Sequence, residues 1–160
     1  MEFPNHILIP ELRRLLDEGH ATVTLPLRGR SMRPFLEDGR DKALLALPES
    51  LHGGCLQVGD AVLAEVMPRR YVLHRLIAID GDALTLLGDG NLSTEHCRRQ
   101  DVVAVALGFF RKGRQTADMV TGRKWRCYSW LWMRLRPVRR YLLFAFHPHV
   151  PRMFQSNRNQ

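Results

Sequence analysis

Arg70-Tyr71-Val72-Leu73-His74-Arg75-Leu76-Ile77-Ala78-Ile79-Asp80-Gly81-Asp82-Ala83-Leu84-Thr85-Leu86-Leu87-Gly88-Asp89-Gly90-Asn91 reads as two strands, 70–79 and 83–87, each ending in an Asp-Gly signal. Tight hairpins favour Asp-Gly because a central position needs positive φ, and branched or long apolar residues at period two suit a half-buried pleat. Further runs of this kind lie on either side: Val23 to Leu27, Lys42 to Leu47, Asp60 to Val66 and Asp101 to Phe109. Between them stand Glu37-Asp38-Gly39, His52-Gly53-Gly54 and Val58-Gly59-Asp60. Many short strands punctuated by Gly and Asp predict a mainly β domain, a barrel or a folded sheet.

The ends read differently. Pro10 to Glu18 carries Leu12, Leu15 and Leu16 on one helical face, with Gly19 placed to stop it. Beyond a polar connector at 111–122, Arg123 to Arg136 has Trp125, Tyr128, Trp132 and Leu135 at i, i+3, i+7 and i+10, an amphipathic helix that Pro137 should end. A short apolar run follows from Tyr141 to Phe146, and a frayed tail is expected from His147. The expected organisation is an N-terminal helix (1–20), a β domain (21–112) and a basic, Trp-rich C-terminal tail (113–160).

Charge follows this division. Residues 1–110 hold 12 Lys/Arg against 15 Asp/Glu, a net of −3, whereas residues 111–160 hold 12 Lys/Arg against Asp118 alone, a net of +11. A basic segment beside a near-neutral domain points to an anionic partner, or to a solvated basic face. For 123–146 the expectation is peripheral membrane contact, aromatic side down and arginines toward anionic lipid, or packing on the β domain; stacking on single-stranded nucleic acid is the weaker alternative. The chain begins without the basic region of a secretory signal, and no stretch approaches the roughly 18 apolar residues of a membrane span. Three widely spaced cysteines, Cys55, Cys97 and Cys127, fit reduced thiols in a cytoplasmic setting better than a disulfide framework or a zinc site.

Four residues suggest chemistry. Ser31 stands where the run from Val23 gives way to Met32-Arg33-Pro34, a bend at which a hydroxyl can be presented beside its own backbone amide. His74 alternates onto the same side as Val72, Leu76 and Ala78, and such a partly desolvated imidazole stays neutral, as a general base must. A carboxylate that fixes the imidazole tautomer would complete the set, and Asp89 and Glu95 both follow the second strand. Either acid can serve.

The order of these segments resembles a family. Gly29-Arg30-Ser31-Met32-Arg33-Pro34 is similar to the G-x-S-M-x-P nucleophile box of signal-peptidase-type serine peptidases, a superfamily that includes the LexA-like self-cleaving repressors. Val58-Gly59-Asp60-Ala61-Val62-Leu63 resembles its following Gly-Asp strand. Val72-Leu73-His74-Arg75-Leu76-Ile77 resembles the V-x-H-R-V-I box of the archaeal and endoplasmic-reticulum enzymes, in which histidine replaces the bacterial lysine. Gly88-Asp89-Gly90-Asn91 and Asp101-Val102-Val103-Ala104-Val105-Ala106 resemble the late G-D-x-N box and the closing strand.

The resemblance, over roughly 29–109, implies a LexA/signal-peptidase-like, barrel-like sheet and a serine endopeptidase that cleaves a peptide or protein precursor. Ser31 would be the nucleophile, His74 the base, and Asp89 or Glu95 the orienting acid. The Ser31 amide would lie in the oxyanion hole, and Met32 and Pro34 beside the substrate, which the family binds extended along a strand edge. No metal or organic cofactor is implied. The family's usual membrane span has no counterpart here, so the expected location is the cytoplasm, at the inner face of the membrane. The alternative is a non-enzymatic module that keeps the fold and binds membrane or nucleic acid through its basic tail.

Overall fold

The computed structural model describes residues 2–3 and 8–146. Helix α1 (Leu8–Asp17) buries Ile9, Leu12 and Leu16 and stops before Gly19, whose φ of +97° only glycine adopts without strain. The strands are β1 (Glu2–Phe3), β2 (Val23–Pro26), β3 (Lys42–Ala46), β4 (Ala61–Met67), β5 (Arg70–Asp80), β6 (Ala83–Leu87), β7 (Glu95–Arg98), β8 (Val102–Phe110) and β9 (Asp118–Met119). They form one antiparallel sheet in the order β2-β3-β8-β4-β5-β6-β7, with β1 added to β5 and β9 to β8. The path does not close, because β2 and β7 are its two ends among the described residues. The chain is mainly β, and of a barrel or a folded sheet it forms a sheet that does not close.

Two strands escape the sequence pattern. Glu95-His96-Cys97-Arg98 has no apolar alternation, since β7 is an end strand that draws its order from pairing with β6. Asp118–Met119 is too short to show a period, and is held by pairing opposite Gly108 and Phe109. Gly108 allows this approach, because a Cβ there would stand 3.0 Å from Met119 Sδ.

Helix α2 (Arg123–Arg134) and helix α3 (Arg139–Phe146) close the described chain. Trp125 joins the same hydrophobic core as Leu63, Leu73, Val105 and Phe109 of the sheet. Of the three expectations for this region, packing on the β domain accounts for Trp125 and Trp132, which are buried, while Trp130 faces outward. The frayed tail expected from His147 lies outside the described residues. No described helix is long and apolar enough to cross a membrane.

Candidate functional site

Ser31 is presented by a turn that leaves β2 and returns to β3. Leu27 N–H donates to Asp41 O (2.9 Å) and Gly39 N–H to Leu27 O (3.0 Å), closing the base of the loop. The buried Asp41 carboxylate accepts from the backbone amides of Glu37 (2.9 Å) and Lys112 (3.0 Å), and at the tip Asp38 Oδ1 accepts from Gly29 N–H at 3.0 Å. Met32, Phe35 and Leu36 anchor the loop in the core. Phe35 stacks on Tyr128 at 4.4 Å and meets Trp125 edge-on at 5.0 Å. Met32, expected beside the substrate, has no exposed surface in this structure and supports the loop from beneath, whereas Pro34 is exposed.

His74 lies in β5, opposite Val62 of β4, and is buried. Its Nδ1 is 2.6 Å from Glu95 Oε2, within hydrogen-bonding distance, and Arg70 donates to the other carboxylate oxygen of Glu95 at 2.7 Å. Burial lowers the pKa of His74, against the pull of Glu95, which favours the cation. The Glu95 carboxyl is lowered in turn, first by its contact with His74. Burial favours the neutral imidazole, in which a proton on Nδ1 would face Glu95 and leave the Nε2 lone pair available.

The turn after β6 brings Nε2 and the serine loop together. A Cβ built on Gly88 would lie 2.6 Å from Ser31 O and 2.9 Å from His74 Nε2, so both atoms border the space that a side chain here would fill. Gly90 N–H donates to Ser31 O at 2.6 Å, and a Cβ on Gly90 would strike Arg30 O at 2.6 Å. Glycine is needed at both positions for close approach. Ser31 Oγ is buried and has no hydrogen-bond partner among the described residues, so the Ser31–His74 hydrogen bond is not formed in this conformation.

Asp89 has a different place from Glu95. Its carboxylate accepts two bonds from Arg75, at 2.9 and 2.7 Å, and one from Tyr128 Oη at 3.0 Å. Its backbone carbonyl accepts from Trp132 Nε1 (3.1 Å) and from Arg139 (2.7 Å). Of the two acids left open by the sequence, Glu95 sits on the imidazole, while both Asp89 oxygens are committed to the buried arginine and to the C-terminal helices. Arg75, Tyr128, Trp132 and Arg139 were not singled out as site residues. Only the position of Arg75 directly after His74 could have marked it, since successive strand residues face opposite sides and an arginine there must find a buried acid.

A cleft of about 600 Å³ lies elsewhere, between α2 and the loop that pairs His52 with Asp60, and none of Ser31, His74 or Glu95 lines it. No group of three or more His, Cys, Asp or Glu among the described residues is arranged to hold a metal ion. Compared with family models, with curated proteins and with solved structures, the chain gives no significant match.

Proposed function

We propose that this protein is a serine endopeptidase of the signal-peptidase type, with Ser31 as nucleophile, His74 as general base and Glu95 as the group that orients the base. The observation that carries the reading is the junction at Gly88. There a Cβ on Gly88 would strike both the backbone of a loop bearing a buried hydroxyl without a hydrogen-bond partner and the Nε2 of a buried histidine whose Nδ1 lies 2.6 Å from a carboxylate. An orphaned buried hydroxyl costs about 1–3 kcal/mol, a cost expected at a functional position and uncommon elsewhere.

The chemistry follows from the atoms. A rotation about χ1 turns Oγ toward Nε2 as substrate binds, since such bonds tighten only in the substrate complex. Oγ attacks the scissile carbonyl carbon while its proton passes to Nε2, giving an oxyanion and an imidazolium that Glu95 stabilises. Collapse of the intermediate breaks the C–N bond, Nε2 returns the proton to the leaving amine, and water hydrolyses the acyl-enzyme by the same route. Edge strand β2 runs directly into Gly29 and Ser31, which supports binding of an extended precursor peptide by backbone pairing.

The test is active-site labelling with a fluorophosphonate, followed by mapping of the modified residue. Labelling at Ser31 that disappears in Ser31→Ala and in His74→Ala, with both variants folded, is the expected result. A wild-type protein that stays unlabelled would overturn the reading and favour the non-enzymatic module.

The proposal includes a peripheral contact with anionic lipid on the cytoplasmic side. Trp130 is 64% and Tyr141 75% exposed, Leu131 and Val138 are also exposed, and Arg123, Arg126, Arg134 and Arg140 are exposed around them. Aromatic and apolar groups within a basic surface suit a lipid interface. Co-sedimentation with phosphatidylserine vesicles, weakened by Trp130→Ala and by salt, is expected; equal recovery with and without vesicles would remove this part.

A further inference from the structure

We propose that Tyr128, Trp132 and Arg139 are positioning residues for the Ser31 and His74 site, acting through Asp89. The inference rests on the peptidase reading. It makes the C-terminal helices part of the catalytic unit and not an appendage to it.

The contacts converge on one turn. Asp89 is fully buried and is held on three sides: by Arg75 from β5, by Tyr128 and Trp132 from α2, and by Arg139 from α3. Its neighbours are the two glycines that touch the serine loop, Gly90 through its amide on Ser31 O and Gly88 through its fit against Ser31 O and His74 Nε2. A shift of Asp89 therefore moves both contacts together. Of the three donors from the C-terminal helices, Trp132 and Arg139 bind the backbone carbonyl of Asp89 and so fix the position of the turn, and Arg139 also places its charge near the carboxylate.

A second path runs from the same helix to the same loop. Tyr128 stacks on Phe35, four residues after Ser31, and Arg111 lies over the same Phe35 ring with its guanidinium carbon 3.6 Å from the ring centre. Tyr128 thus touches the serine loop with its ring and the Asp89 turn with its hydroxyl. Arg75 lies beneath, 4.6 Å from the Trp125 ring centre and hydrogen-bonded to Gly59 O and Ser129 Oγ. Reacting groups need alignment within about 1 Å, and a loss of that order costs roughly 10²-fold in rate.

The test measures the rate constant for fluorophosphonate modification at saturating reagent in the full-length protein. In this step Ser31 Oγ bonds to phosphorus, fluoride leaves, and the proton passes to His74. Tyr128→Phe keeps the ring and removes the donor to Asp89; Trp132→Phe removes the indole N–H. Each is expected to lower the rate constant roughly 10-fold or more, with the reagent's apparent affinity, the labelled fraction and the melting midpoint close to wild type. A merely structural role would lower the labelled fraction and leave the rate constant of the folded molecules unchanged. Wild-type rate constants in both variants, with Ser31 labelled in the parent protein, would overturn this proposal alone. Absence of labelling in the parent would overturn it together with the peptidase reading.

Discussion

Glu95 Oε2 lies 2.6 Å from His74 Nδ1, across the sheet from the strand that carries the histidine. Glu95 stabilises the imidazolium, so Glu95→Gln lowers the His74 pKa below its already depressed position. Labelling of Glu95→Gln should slow on the order of 10²-fold or more. The acid limb of its pH profile should move to lower pH. A limb that moves upward, or a rate equal to wild type, would show that Glu95 does not act on this histidine.

Gly88→Ala should put a methyl group 2.6 Å from Ser31 O and 2.9 Å from His74 Nε2. Neither the backbone of the serine loop nor a buried ring can give way without strain. Denaturant titration should show a loss of about 1–3 kcal/mol, the usual range for overpacking. Labelling of the remaining folded protein should be nearly abolished. Full labelling in Gly88→Ala would mean that the loop and the ring tolerate displacement.

Arg75 and Asp89 form a fully buried pair. Asp89→Ala leaves the guanidinium without its bidentate partner and should cost about 3–5 kcal/mol. Arg75→Met combined with Asp89→Leu should recover part of that loss, because no unpaired charge stays buried. Urea unfolding of the three proteins measures both values. A double variant less stable than Asp89→Ala would argue that the pair itself stabilises the fold.

Acidification should weaken the fold through the same site. Burial depresses the folded-state pKa of His74 below its ordinary 6.5, and contact with His74 depresses that of Glu95 below its ordinary 4.5. In both cases the unfolded chain binds the proton first, so stability is complete above the unfolded value and falls as the pH drops toward the folded one. The decline should begin just below pH 6.5 and be smaller in His74→Gln. Urea midpoints at successive pH values test this, and an unchanged slope in His74→Gln would assign the decline to other groups.

The elements were largely legible in the chain. β2, β5 and β6 fall on their apolar runs, and α2 buries the face that its spacing marks. β7 was not legible, because an end strand without apolar alternation is ordered by its neighbour and not by its own pattern. Ser31 and His74 could be found as candidates, since each stands out in a local pattern. The choice between Asp89 and Glu95 could not be made, because both follow β6 within a few residues and sequence distance does not tell which way a carboxylate points.

The sequence by itself determined a mainly β chain, the strands that carry His74 and lead into Ser31, and an amphipathic basic helix near the end. Those properties depend on residue type and period, which are local. Only the tertiary structure decided that Glu95 meets the imidazole, that Gly88 and Gly90 are glycine because the serine loop presses on them, and that Trp125 and Trp132 face inward while Trp130 does not. Only it showed Asp89 joined to Tyr128 and Arg139, 39 and 50 residues away. These contacts depend on how the open sheet and the last two helices pack, and a buried charge finds its partner by that packing, not by its place in the chain.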